Sequence, residues 1–149
     1  MYEKTKRHAK RIYKRIGRVP CPALGDELVA FTSAGFNHMV RKGRIPRSKK
    51  DQQRRFVLVP FVERIIRNPH ALIAYERRKT KTVVDRHGEN IILKSTADFW
   101  TFMETTDDYV IKVVIRQLGE RGPKHFFSVM GDQKGRSSKT KNPPRREDF

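Results

Sequence analysis

The chain has 149 residues, 34 of them Lys or Arg and 16 Asp or Glu, a formal net charge of +18. That length suits one domain with a true core, and the charge points to a polyanion: nucleic acid, an anionic membrane or an acidic protein. The longest apolar runs, such as Phe56 to Val62, are far too short to span a bilayer. No signal peptide opens the chain, and Cys21 stands alone, without a disulfide or cysteine-zinc partner. No membrane association is expected, and the reading is a cytoplasmic protein.

Residues 1–18 carry eight Lys/Arg against Glu3, and residues 131–149 carry six against three acids. Both stretches are poor in apolar residues and read as basic flexible tails around a domain at 19–130. Within the first, Ile12, Tyr13 and Ile16 recur at helical spacing, so a basic helix is an alternative there. Asp26 is the expected N-cap of a first domain helix. Leu28, Val29, Phe31, Phe36, Met39 and Val40 supply its apolar stripe, and Gly43 stops it. A second helix opens at Ser48-Lys49-Lys50-Asp51 and runs past Phe56, Leu58, Val62, Ile65 and Ile66. Pro60 should kink or split it, and Asn68-Pro69 ends it.

The period then becomes strand-like. Strands are predicted at Leu72–Val84, Asn90–Glu104 with a break near Ser95–Ala97, Tyr109–Leu118 and Lys124–Met130. Turns at Asp85–Asn90, Thr105–Asp108 and Gly119–Pro123 join them. The expected fold is α+β, with two N-terminal helices packed on a four-stranded antiparallel sheet.

No phosphate loop, dinucleotide fingerprint, zinc-protease motif or serine elbow is present. Asp98, Glu104, Asp107 and Asp108 lie close in sequence, but Asp107-Asp108 reads as a turn, so neither metal nor cofactor is expected. His38 sits near the end of the first helix, with Arg41 and Lys42 at i+3 and i+4 on its face. There it would meet a bound phosphate. Arg44, Arg47, Arg54 and Arg55 extend the basic cluster, equally readable as a phosphate clamp or as a solvated face. The last hairpin adds Lys112, Arg116, Lys124, His125 and Ser128. If Leu118 pairs with Lys124, Arg116 faces Phe126, with Ser128 diagonally beside it. A one-residue slip or bulge brings His125 next to Arg116 instead.

The His-bearing first helix followed by Arg41-Lys42-Gly43-Arg44, the basic second helix and the Phe99/Trp100/Phe102 strand form a recognisable series. With the Ile115-Arg116-Gln117 strand and the closing Lys124-His125-Phe126-Phe127-Ser128-Val129 strand, it resembles phage- and mobile-element-associated members of the barnase–EndoU–colicin–RelE-like ribonuclease superfamily. The resemblance covers roughly Leu28 to Met130. It implies a metal-independent, toxin-like endoribonuclease with one or two helices before a four-stranded antiparallel sheet. By position, His38, Arg116, His125 and Ser128 match its active-site residue types, and Lys42, Arg54 and Tyr75 are further candidates. RNA, including transfer RNA or other structured RNA, is the implied substrate, and an acidic antitoxin or immunity protein the implied inhibitor. Such chemistry needs a base for the 2′-OH proton, an acid for the departing 5′-oxygen and cations around the phosphorus. Two other readings remain: a non-catalytic basic RNA- or DNA-binding protein, and a toxin-like domain whose main role is partner binding.

Overall fold

Ala9 and Tyr13 lie four residues apart, and that small apolar face decides the fate of the N-terminus. In the computed structural model, which describes the backbone of residues 1–134 and the side chains of all but 82–84, 86 and 93, residues Tyr2–Ile16 form helix α1. It buries Ala9 and Tyr13 completely or nearly so and turns its cations outward. The expectation of a flexible N-terminal tail is therefore corrected. An amphipathic helix with few apolar residues reads as polar by composition, yet it packs once the helices at Lys49–Phe56 and Val59–Arg67 supply a surface. Tyr13 is the hub. Its hydroxyl donates to the Thr32 carbonyl at 2.6 Å, and its ring lies 5.3, 5.5 and 5.6 Å from those of Phe31, Phe36 and Phe126. Burial raises its hydroxyl pKa.

Two short strands follow, β1 (Arg18–Cys21) and β2 (Glu27–Ala30), joined by a 3-10 turn at Pro22–Leu24. Asp26 has a φ of 62°, so it belongs to this turn and caps no helix. The expected first helix shortens to α2 (Ser33–Val40). A small hairpin, β3 (Arg41–Lys42) and β4 (Ile45–Pro46), turns at Gly43. Ser48 then caps α3 (Lys49–Phe56) by accepting from the Asp51 amide at 3.1 Å. Pro60 sits in the first turn of α4 (Val59–Arg67), where its missing N–H costs nothing, so it splits the predicted second helix.

The remaining strands are β5 (Leu72–Arg86), β6 (Glu89–Thr105), β7 (Tyr109–Leu118) and β8 (Lys124–Gln133). β6 runs unbroken, and its turn with β5 is only His87-Gly88, both at positive φ. The sheet order is β1-β2-β8-β7-β6-β5, with β2 parallel to β8 and every other pair antiparallel. The two-helix, four-stranded antiparallel expectation is thus overturned: the described residues hold four α-helices, a six-stranded mixed sheet and a two-stranded one. The cause is length. Four-residue strands such as β1 and β2 are too short to show a period, and the apolar Leu28–Phe31 run joins the helical stripe of α2 when read as sequence. Residues 131–133, expected in the C-terminal tail, belong to β8, which extends to Gln133; the rest of that expectation falls on residues 135–149, outside the described residues.

One sheet face carries Phe102, Ile111, Val113, Ile115, Phe126 and Val129 against α1, α2 and α4. On the other face, Ala97, Phe99 and Val114 form a smaller cluster with half-buried Phe127. Among the described residues, no helix is long and apolar enough to cross a membrane.

Candidate active site

The β7–β8 register decides the site. Gln117 pairs with Lys124, Arg116 with His125 and Ile115 with Phe126. The ladder then shifts, so that Val114 faces Ser128 and Phe127 is the extra, bulged residue. Of the two registers read from the sequence, the slipped one forms on the turn side of Phe127 and sets His125 beside Arg116, while the other holds from Ser128 onward. Two adjacent phenylalanines, Phe126 and Phe127, interrupt strand alternation in the sequence. That interruption was the available signal for the bulge.

Arg116 donates from Nε to Nε2 of His125 at 3.0 Å. A guanidinium has no acceptor, so His125 must present a bare Nε2 and carry its proton on Nδ1, which faces the Pro123 carbonyl at 3.4 Å. Burial, and then the Arg116 charge, lower the His125 pKa; the Pro123 carbonyl opposes them weakly. His125 is the neutral imidazole of the pair. Burial also lowers the Arg116 pKa. The Arg116 guanidinium lies 4.4 Å from the Phe127 ring centroid, and the His38 ring stacks on the same Phe127 at 4.2 Å. One bulged phenylalanine therefore gathers His38 from α2 and Arg116 and His125 from the sheet. Phe99 meets Phe127 edge-on at 5.5 Å, and Arg78 lies 3.8 Å over Phe99.

Arg47 holds His38 in place. Its Nε donates to the His38 carbonyl at 2.9 Å, its Nη2 lies 3.4 Å from the His38 Nε2, and its Nη1 pairs with Asp51 at 3.3 Å. Gln52 donates to the Arg47 carbonyl at 2.7 Å, and Tyr2 of α1 in turn donates to Gln52. A last-turn carbonyl of α2 thus finds a partner, and three helices fix one histidine. Gly35 lets α2 approach β8 this closely. A Cβ there would come within 2.5 Å of both the Phe126 carbonyl oxygen and the Tyr13 hydroxyl.

The other expected residues fall elsewhere. Ser128 is fully buried beside Arg55, whose Nη1 donates to the Ser128 hydroxyl and the Val129 carbonyl, each at 3.2 Å. Arg55 also pairs with Asp51 at 3.2 Å, so this arginine seals the edge of β8 below β2 and is itself buried. Arg41, Lys42 and Arg44 are exposed on the small hairpin. Arg54 is exposed and lies 3.8 Å from Asp132. Lys112 is half-buried on the Arg116 face, four residues before it. Tyr75 and Lys124 occupy the opposite face: the Tyr75 hydroxyl donates to Asp98 at 2.6 Å, and Lys124 pairs with Glu27 while lying 5.1 Å over the Trp100 ring. Arg77 and then Tyr75 pull the Asp98 carboxyl pKa down. Glu104 is paired with Arg64 at 2.6 Å. Sequence reasoning missed Phe127 and Phe99 as organisers of the site, and it placed Arg47 in the basic cluster without the His38 contact.

The arrangement presents a guanidinium hydrogen-bonded to a neutral imidazole, with a second imidazole stacked on the phenylalanine that the guanidinium also covers. Comparison with models of known protein families, with curated proteins and with solved structures finds no match.

Proposed function

We propose that this protein is a metal-independent endoribonuclease whose centre is His38, Arg116 and His125 around Phe127. The observation that carries the reading is the Arg116–His125 pair, a cation bound to an imidazole that burial keeps neutral. A substrate phosphate competes for the Arg116 guanidinium, and its approach frees the His125 Nε2 lone pair. His125 then accepts the 2′-OH proton as the 2′-oxygen attacks phosphorus. Arg116 stabilises the charge that develops on the phosphoryl oxygens, and His38 is the group that gives a proton to the 5′-oxygen as the P–O5′ bond breaks. The products are a 2′,3′-cyclic phosphate and a free 5′-hydroxyl. The toxin-like role, an acidic inhibitor as partner and action in the cytoplasm belong to the same reading; its support is the net charge and the resemblance of the His38, Arg116 and His125 motifs.

The test is incubation of end-labelled RNA with purified protein in excess chelator. Discrete cleavage with cyclic-phosphate ends is expected, with a DNA strand of the same sequence left intact. His38→Ala or His125→Ala should each lower the rate by roughly 10²–10⁴-fold, the usual contribution of one acid or base, while RNA affinity holds. RNA that is bound but never cut would leave the protein as a basic binding module.

A further inference from the structure

We infer that the sheet face carrying Tyr75, Trp100, Lys79, Lys81 and Lys94 is a second RNA-binding surface, which holds an unpaired strand away from the cleavage centre. The choice of RNA over DNA rests on the proposed cleavage reaction; the surface itself does not. Tyr75 pairs with Trp100, Arg77 with Asp98, Lys79 with Thr96 and Lys81 with Lys94, and alternate pairs of a ladder share one face. That face is opposite to Arg116 and His125.

Tyr75 is 53% exposed, and its ring lies 5.5 Å from that of half-buried Trp100. Asp98 fixes the tyrosine by accepting from its hydroxyl and from Arg77 Nε, at 2.6 and 2.8 Å. An exposed tyrosine ring, held by Asp98 and backed by half-buried Trp100, is what a base needs for stacking, and cations beyond it suit the phosphates that follow. Those cations stand on a two-stranded arm, because β6 pairs with β7 only from Ala97 onward while its ladder with β5 continues to the His87-Gly88 turn. Lys81 and Lys94 face each other directly, a like-charge pair that opposes the hairpin. Among the described residues, Lys79, Lys81 and Lys94 have no acidic side chain at ion-pair distance. Asp85 shares the face but lies nearer the tip. A polyanion relieves that repulsion.

The two faces communicate at one end of the sheet. Lys124 and His125 are neighbours on opposite faces, as are Asp98 and Phe99. A strand crossing between the arm and the β7–β8 turn passes from Trp100 and Lys124 to Arg116 and His125.

Trp100 is the one tryptophan of the chain, so its emission reports on this face alone. The probe is a short 2′-O-methyl oligouridine, which has no 2′-OH to attack and so stays whole with the wild-type protein. Titration should quench Trp100. The K79Q/K81Q/K94Q variant, which changes only exposed side chains, should weaken binding by roughly tenfold or more at low salt and reduce the log–log salt slope by about 0.7 per lysine. Tyr75→Ala should weaken the quenching with little change in that slope. Absence of quenching, an unchanged slope in the lysine variant, or better competition by a fully paired RNA hairpin than by the unpaired strand would each overturn the inference. Quenching with lysine dependence, in a protein that cuts no RNA, upholds this surface and removes the cleavage reading. Cleavage without quenching does the reverse.

Discussion

Arg116 Nε donates to His125 Nε2 at 3.0 Å, which ties the charge of one residue to the protonation state of the other. Protonating His125 would put a proton where the guanidinium already points and add a second positive charge beside it. The rate should therefore need a neutral His125, and its acid limb should fall at a pH below the ordinary histidine value of about 6.5. Stability follows the same sign. The unfolded chain takes up this proton near 6.5 and folded His125 resists it, so the contribution is complete above that pH. It is lost as pH falls from there through the lowered folded value. A pH series of chemical denaturation on wild type and His125→Asn measures it; the variant should lose that part of the slope.

Phe127 holds both His38 and Arg116 while having no proton to give. Phe127→Ala should lower cleavage by roughly 10²-fold, the scale of a misplaced catalytic group, with histidine chemistry otherwise intact. Phe127→Tyr retains the ring and should recover most of the rate. Single-turnover rates of the two variants check this.

Arg55 and Ser128 should behave as structural residues. Arg55→Met leaves the Ser128 hydroxyl and the Val129 carbonyl without their donor inside the protein, at a cost of about 2–3 kcal/mol. Ser128→Ala should cost about 1 kcal/mol, with the cleavage rate of the folded protein unchanged. Urea unfolding combined with activity per folded molecule separates the two effects. A large rate loss in folded Ser128→Ala would place the hydroxyl in the chemistry.

Removal of residues 1–16 should abolish cooperative thermal unfolding, because Ala9 and Tyr13 belong to the core and Tyr2 reaches the Gln52–Arg47–His38 chain. A truncated chain that melts cooperatively and binds RNA more weakly would show α1 to be only a basic appendage.

Gly35→Ala tests the approach of α2 to β8. With 2.5 Å to the Phe126 carbonyl oxygen, backbone must move, at about 2–3 kcal/mol. His38 moves with it, so cleavage should fall as well. Calorimetry and rate measurements on one preparation give both.

By itself the sequence determined the long strands, the Pro60 break, the Ser48 cap and the basic character of the surface, because each rests on a local period or a local backbone preference. His38, Arg116 and His125 could be singled out as chemistry-bearing residues on helix face and strand parity. What only the tertiary structure decided was non-local. β1 and β2 acquire their pairing from β8 and each other, and α1 leaves the solvent because α3, α4 and the Phe31, Phe36 and Phe126 rings offer it a face. The Phe127 bulge shifts one ladder by one residue, which brings His125 to Arg116 and turns Ser128 toward Arg55. Periodicity cannot choose between registers that differ by one residue when both bury apolar groups. The folded ladder uses both: one register from Ser128 onward, where Arg55 binds the Ser128 hydroxyl and the Val129 carbonyl, and the other on the turn side of Phe127.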